Sequence, residues 1–160
     1  MINVRIEEKP AFSILGQKVW ISGQNSSQFE RFWSESKRNG LVERLRAYNG
    51  NRPGPVTGAT TFGVSRVEKD PNNRAFFFYI AAEARDEADA LLERYTVPAC
   101  RWAIFVNRGA LPESLIDAEM YCFLQWLPAS PYRHANAPEL EVYPARDDSL
   151  VEYWLPIEEK

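Results

Sequence analysis

The 160 residues suffice for one domain with a sizeable core, since 45% of them are hydrophobic and 13% are aromatic. A net charge of -3, a pI near 5.3 and scattered basic residues argue against a nucleic-acid interface, which requires clustered Lys and Arg. No apolar run reaches the length of a membrane span, and the first residues lack the pattern of a signal peptide. We therefore expect a cytoplasmic domain that contacts neither DNA nor a membrane directly.

The first half of the chain predicts two strands, a helix and two further strands. Apolar and charged residues alternate from Val4 to Glu8, and Pro10 ends that strand. Ser26 and Ser27 followed by Glu30 resemble a capping box that opens a helix interrupted at Gly40. The expected elements are strands over 4–8 and 12–21, a helix over 26–45, strands over 60–67 and 74–83, and a turn at 69–73 between the last two.

The second half repeats this order of elements. The start of its first strand is ambiguous, because residues 86–92 could equally form a helical turn. Pro112 is expected to open the helix, and the Pro-rich segment 131–138 to be irregular. The expected elements are strands over 91–97 and 99–107, a helix over 112–127, and strands over 140–144 and 150–157. Together the two halves predict an α+β domain with an antiparallel sheet.

Some local motifs recur between the halves. Pro10-Ala11 recurs as Pro98-Ala99, 88 residues later, and Phe32-Trp33 matches Met120-Tyr121 at the same spacing. The run Phe78-Tyr79-Ile80 similarly matches Tyr153-Trp154-Leu155, 75 residues later. Abundant aromatic residues also produce such matches by chance. If the repeat is real, pseudo-repeats of about 1–84 and 85–160 face each other across a cleft, the kind of place where ligand sites concentrate.

Several common chemistries lack residues to carry them. Cys100 and Cys122 lie far apart in apolar runs and are expected to pack as small hydrophobes. His134, the one histidine, lies in a polar loop and is interpreted as a surface residue, without the partners of a metal site or a nucleophile. The glycines form no phosphate-binding fingerprint. We expect neither a metal nor a cofactor.

One carboxylate occupies an unusual position. In Leu140-Glu141-Val142-Tyr143, a period of two places Glu141 and Tyr143 on one face and the two aliphatic residues on the other. Periodicity alone is more typical of a solvent-facing glutamate. A face shared with Tyr143 is also compatible with a position inside a cleft, so both interpretations stay open.

The order of motifs along the chain resembles the GyrI-like effector-binding family. That family comprises small-molecule domains fused to AraC- and MerR-type DNA-binding modules, and free-standing proteins. Two departures are Ala81-Ala82, where the family often has a glycine, and Leu140, where Phe usually precedes the glutamate. The similar segments are Lys9-Pro10-Ala11, Ile14-Leu15-Gly16, Phe78-Tyr79-Ile80-Ala81-Ala82-Glu83, Ile104-Phe105 before Gly109, residues 126–132, Leu140-Glu141-Val142-Tyr143 and Tyr153-Trp154-Leu155-Pro156-Ile157.

The resemblance implies two strand-strand-helix-strand units around a central ligand cleft, with Glu141 at the floor of the pocket. It also implies lipophilic, cationic aromatic ligands, which a desolvated carboxylate and ring faces attract, each cation-π contact contributing about 0.5–2 kcal/mol. Trp33 and Trp20 are less certain members of the ring wall, because a ring on a helix or an early strand more often belongs to the core. The candidate ligand-binding residues are Glu141, Trp154, Tyr79, Phe105, Trp33 and Tyr143.

Two functions fit this resemblance. The first is a binding module for hydrophobic or cationic small molecules in drug or toxin sensing or sequestration. The alternative is a hydrolase that opens strained cyclopropane rings of genotoxic natural products, with Glu141 as general base, since burial raises the pKa of a carboxyl group. A purely structural, partner-binding role is a third interpretation. The sequence leaves open whether a protein partner or a homodimer is involved.

Overall fold

The computed structural model describes residues 1–22, 27–67, 70, 72–85 and 91–160. Within these residues nine strands form one antiparallel sheet that is not closed into a barrel, and three helices accompany it. The strands are β1 (Asn3–Lys9), β2 (Phe12–Ile21), β3 (Ala59–Ser65), β4 (Phe76–Glu83), β5 (Glu93–Val97), β6 (Cys100–Arg108), β7 (Tyr132–His134), β8 (Glu139–Pro144) and β9 (Leu150–Glu159). The helices are α1 (Ser27–Arg38), α2 (Leu41–Tyr48) and α3 (Glu113–Tyr121), the last continued by a π-helical turn (Cys122–Trp126) and a final short turn (Leu127–Ala129).

The predicted α+β class and antiparallel sheet are confirmed, and the predicted strands agree with the observed ones to within two residues at either end. The first predicted helix is two helices, because Gly40 adopts a φ of 89° and the Asn39 side chain accepts a hydrogen bond from the Leu41 amide at 3.0 Å. The segment predicted as irregular contains β7. The predicted capping residue Ser26, the turn at 69–73 and the alternative helical turn over 86–92 lie wholly or partly outside the described residues. None of the described helices is long and apolar enough to cross a membrane.

The strand order of the sheet is symmetric about its centre. The order is β1-β6-β9-β8-β3-β4-β2-β5, with β7 pairing the end of β9. Exchanging β1 with β5, β2 with β6, β3 with β8 and β4 with β9 gives the same order read in reverse, as a two-fold axis would. Strands β3 and β8 are therefore adjacent at the centre. That the halves arose by duplication, with a boundary near residue 84, stays a prediction.

Short connections bend the sheet strongly. Pro10-Ala11 alone joins β1 to β2, although β1 begins the strand order and β2 stands next to its end. Two connecting residues span at most about 11 Å, so the two ends of the sheet must approach each other. Pro98-Ala99 imposes the same constraint between β5 and β6. The enclosed inner face is a core that includes Phe12, Phe62, Tyr79, Val97, Trp102, Leu140 and Trp154.

The helices cover the outer face in two separate layers. Helices α1 and α2 pack on β2 and β4, where Leu45 and Phe78 belong to one buried cluster. Helix α3 packs on β6 and β9, where Leu115 and Phe105 belong to another. The outer face of the central strands β3 and β8 lies between these layers, and a cavity opens there.

Candidate ligand-binding site

A cavity of about 1120 Å³ lies over the central strands, between α1 on one side and α3 on the other. This volume is at the upper end of the range of small-molecule sites, roughly 300–1,000 Å³. Its walls combine aromatic rings with titratable side chains. The residues that matter below are Phe29, Trp33, Glu119, Glu141, Tyr143 and Tyr153.

Glu141 lies on β8 at the floor of this cavity, directly opposite Gly63 of β3. Its Oε1 accepts one hydrogen bond from Trp33 Nε1 at 3.0 Å and another from the Tyr143 hydroxyl at 3.0 Å. Both donors are neutral. Among the described residues, no Lys, Arg or His forms an ion pair with Glu141, so a buried carboxylate here has no counterion within the chain.

Burial raises the pKa of Glu141 to about 7, and the hydrogen bonds from Tyr143 and Trp33 only partly oppose this effect. The carboxyl group therefore titrates near neutral pH. Burial and the neighbouring Glu141 charge also raise the pKa of Tyr143 well above its usual value, so the phenol remains a proton donor. A ligand that favours the ionised carboxylate can shift this balance.

Gly63 provides the space in which the Glu141 side chain lies. A Cβ atom at position 63 would stand 2.6 Å from Glu141 Cγ and 2.6 Å from Phe78 Cζ, closer than non-bonded carbon atoms can approach. Any larger residue would push the carboxylate or the ring out of place. The position of Glu141 thus depends on a glycine on the neighbouring strand.

Glu139 lies two residues earlier on β8 and also lines the cavity, yet its charge is compensated. Arg74 donates two hydrogen bonds to its carboxylate, each of 3.2 Å, and His134 Nε2 lies 2.9 Å from Oε2. Although burial opposes ionisation, the His134 and Arg74 contacts lower the pKa of Glu139 to about 2. The charge of Glu139 is therefore paired within the chain, and Glu139 is not a candidate counterion for a ligand.

His134 was interpreted as a surface residue, which is wrong. Its side chain is 11% exposed and belongs to β7, where Nδ1 lies 2.6 Å from the carbonyl oxygen of Ala135. Both ring nitrogens thus lie next to oxygen atoms of the chain. No group of three or more His, Cys, Asp or Glu side chains suited to a metal ion occurs in the part of the chain that the structure describes.

Three of the predicted site residues come together. Trp33 and Tyr143 both contact Glu141, and their rings meet edge to face, with centroids 5.5 Å apart and planes at 87°. Phe29, one helical turn before Trp33, adds a further ring on the same side of the cavity. These three rings and one carboxylate form a compact aromatic site on α1 and β8.

The other three predicted rings do not line the cavity. Trp154 and Tyr79 are 1% and 2% exposed and pack in the core of the inner face. The reason is strand register: Leu140 pairs with Trp154, whereas Glu141 pairs with Tyr153, so Tyr153 lies on the cavity side.

Phe105 does point to the outer face, but Tyr121 and Trp126 cover it. Trp20, one of the less certain candidates, is 51% exposed beside Phe77 and lies away from the cavity. A ring wall of Trp154, Tyr79 and Phe105 is therefore incompatible with this geometry.

Sequence reasoning missed Glu119 and Tyr153, which both line the cavity. Tyr153 could have been found from the alternation of β9 had its register against β8 been known. Glu119 carries a weaker signal, because a glutamate on an amphipathic helix is typical of a solvated face. Phe29 could have been found from its helical spacing to Trp33.

Comparison with known proteins relates the whole chain to one family. Residues 2–158 match the GyrI-like small molecule binding domain, whereas no curated protein matches the sequence. The fold is similar to that of SAV2435 bound to tetraphenylphosphonium, with a TM-score of 0.80 and 19% identity over 98% of this chain and 94% of that one.

Two further solved structures share the fold. A candidate transcription regulation protein from Staphylococcus aureus MU50 has a TM-score of 0.75 and 18% identity, over 98% of both chains. The EcmrR C-terminal domain has a TM-score of 0.62 and 15% identity, over 100% of this chain and 99% of that one. The chain therefore belongs to the GyrI-like small molecule binding domain family.

Proposed function

We propose that this chain binds lipophilic aromatic cations, with Glu141 as their counterion, and acts in drug or toxin sensing or sequestration. The observation that carries the proposal is the Glu141 carboxylate, which lies at the cavity floor with two neutral hydrogen-bond donors and no basic partner among the described residues. An ionised carboxylate in such surroundings is poorly solvated. A weakly hydrated cation relieves that cost without giving up much hydration of its own.

The energetics favour a delocalised cation over a small, strongly hydrated one. Two unit charges about 4 Å apart interact by about 4 kcal/mol at an effective dielectric constant of 20. The ring faces of Trp33 and Tyr143 add cation-π attraction of about 0.5–2 kcal/mol each. Phe29 extends the apolar wall, so a ligand with several aromatic groups also buries apolar surface.

The charge balance of the cavity walls agrees with a cationic ligand. Six acidic and three basic side chains line the cavity. Lys37 and Arg46 are exposed, so solvent and salt screen them, as they also screen the exposed Glu30 and Asp148, whereas Glu141 lies at the floor. The acidic residues are Glu30, Glu119, Glu139, Glu141, Asp147 and Asp148, and the basic ones are Lys37, Arg46 and Arg74.

The binding of tetraphenylphosphonium by SAV2435 supports the same class of ligand for this chain. The test is calorimetric titration with tetraphenylphosphonium and with tetraphenylborate, which has nearly the same shape and the opposite charge. We expect saturable binding of the cation and at least tenfold weaker binding of the anion. Equal affinities would contradict the counterion role, because shape and apolar burial would then account for binding.

A second function has one specific observation in its favour. A carboxyl group with a pKa of about 7 suits proton transfer at neutral pH, so Glu141 could serve as general base. It would take a proton from water as the oxygen attacks a strained cyclopropane carbon. The ring C–C bond breaks, and its electron pair moves to a conjugated carbonyl group that is then protonated.

Turnover separates the two functions. Incubation with a spirocyclopropyl cyclohexadienone, followed by mass spectrometry, detects the addition of one water. Product from the wild type that is lost in Glu141→Gln would support hydrolysis. Saturable binding without product at high protein concentration would remove the hydrolase alternative and leave binding.

A further inference from the structure

A second carboxylate, Glu119 of α3, lines the wall of the cavity opposite α1. Burial raises its pKa to about 8, and the charges of Glu141 and Glu139 add to this effect, while Arg74 opposes it. Within the described part of the chain, Glu119 has neither a hydrogen bond nor an ion pair through its side chain. Like Glu141, it is a carboxylate without a counterion in the fold.

Tyr153 lies near Glu119 and lines the same cavity. Its side chain is buried, and its hydroxyl oxygen has almost no accessible surface, so a ligand in the cavity does not reach that oxygen. Burial and the nearby Glu139 and Glu119 charges raise the pKa of this phenol, so it keeps its proton. Tyr153 therefore adds a wall beside Glu119 and leaves Glu119 as the accessible polar group there.

The other charged groups around Glu119 are committed elsewhere. Arg74 binds Glu139 through two nitrogens, and His134 binds the same carboxylate. Lys37 and Arg46 are exposed residues of the helices on the other side of the cavity, and Glu30, Asp147 and Asp148 are further acidic residues of its lining. Of the three glutamates Glu119, Glu139 and Glu141, only Glu139 has its charge matched within the described chain.

We propose that Glu119 forms a second cation subsite, so that the cavity accepts aromatic dications. One cationic end lies at Glu141, and an ammonium or amidinium group at the other end donates hydrogen bonds to Glu119. The volume of about 1120 Å³ leaves room for such a ligand. This inference rests on the proposed function, since it assumes that the first cation lies at Glu141.

Matched ligands test the subsite directly. Pentamidine has two amidinium groups, and its analogue with one amidine replaced by a nitrile has one. Titrations at pH 8.5, where both glutamates ionise, should show the diamidine binding at least tenfold more tightly to the wild type. A charge-assisted hydrogen bond has about this effect on an equilibrium constant.

Variants then show which residue causes the difference in affinity between the two ligands. Glu119→Gln should reduce the affinity ratio of diamidine to mononitrile at least tenfold. Glu35→Gln, the same change at an exposed residue of α1 outside the cavity lining, should leave the ratio within about twofold, because solvent screens that charge. An equal loss for both ligands in Glu119→Gln would overturn the subsite, because Glu119 would then contribute only to the general field.

A measurement on the wild type avoids any dependence on folding of the variants. At pH 7 Glu119 is mostly protonated and Glu141 about half protonated. The diamidine should therefore release about one more proton than the mononitrile, measured by calorimetry in two buffers of different ionisation enthalpy. Equal proton release, with both ligands weakened by Glu141→Gln, would overturn the second subsite and leave the proposed function standing. If neither ligand nor tetraphenylphosphonium binds, the proposed function itself fails.

Discussion

The substitution Glu141→Gln isolates the charge at the cavity floor. Glutamine keeps the length of the side chain and one oxygen that can accept the hydrogen bonds from Trp33 and Tyr143. It removes the negative charge and the proton equilibrium. Any change in cation affinity therefore reports on electrostatics more than on shape.

The expected loss follows from two opposing terms. The attraction between the carboxylate and a cation about 4 Å away is about 4 kcal/mol at an effective dielectric constant of 20. At pH 8 the carboxyl is mostly ionised before binding, because its pKa is about 7, so deprotonation costs little. The neutral amide recovers part of the attraction through its dipole. A net loss of about 2–4 kcal/mol, or roughly 30- to 1000-fold in Kd, is expected.

Isothermal titration calorimetry with tetraphenylphosphonium at pH 8 and pH 6 measures this loss. Wild-type affinity should fall by almost tenfold between pH 8 and pH 6, since binding must expel a proton once the pH lies below the pKa. The variant should bind weakly and with no such pH dependence. The matched control is Glu35→Gln, at an exposed residue of α1 outside the cavity lining. A Glu141→Gln variant that binds within threefold of the wild type at pH 8 would refute the counterion argument.

Three further predictions concern the floor and the two faces of the sheet. Gly63→Ala should destabilise the fold by about 1–3 kcal/mol and weaken cation binding, because its Cβ would meet Glu141 Cγ at 2.6 Å; urea unfolding and calorimetry measure the two effects. The folded pKa of Glu141, about 7, exceeds the usual 4.5, so wild-type stability should fall between pH 4.5 and pH 7. Near pH 4 the unfolding free energy of Glu141→Gln should therefore equal that of the wild type, and at pH 8 it should be up to about 3 kcal/mol higher. If urea titration at pH 8 shows the variant to be no more stable than the wild type, this prediction is contradicted. Tyr79→Phe should leave tetraphenylphosphonium affinity unchanged in calorimetry, because this residue packs on the inner face; a clear loss would place the ligand elsewhere.

Much of the fold could be predicted because its elements are encoded locally. Period-two alternation and prolines such as Pro10 mark the strands to within two residues of their observed ends. The two halves have the same order of elements, and this agrees with the symmetric strand order. The split of the first helix at Gly40 was visible as an interruption, but its left-handed φ of 89° depends on how the two helices dock.

The site was predictable only in part, because the pairing register of two strands that are distant in sequence does not follow from the residue pattern of either strand. Periodicity shows that Tyr153 and Trp154 face opposite ways, but not which of them shares a face with Glu141. Pairing of Glu141 with Tyr153 decides this, and it places Trp154 in the core. A one-residue shift of register would exchange the two rings, so no argument from a single strand could have chosen between them.

Glu139 and Glu141 show why the chemistry itself needs the tertiary structure. They lie two residues apart on β8, and both line the cavity, so strand periodicity alone does not distinguish them. Arg74 and His134 approach the first and lower its pKa to about 2, whereas only an indole and a phenol reach the second, which burial leaves at about 7. The fold thus neutralises one carboxylate internally and leaves its neighbour to be neutralised by a proton or by a ligand. Since a proton and a cation compete for the same oxygen atoms, the affinity of this site for a cation must depend on pH.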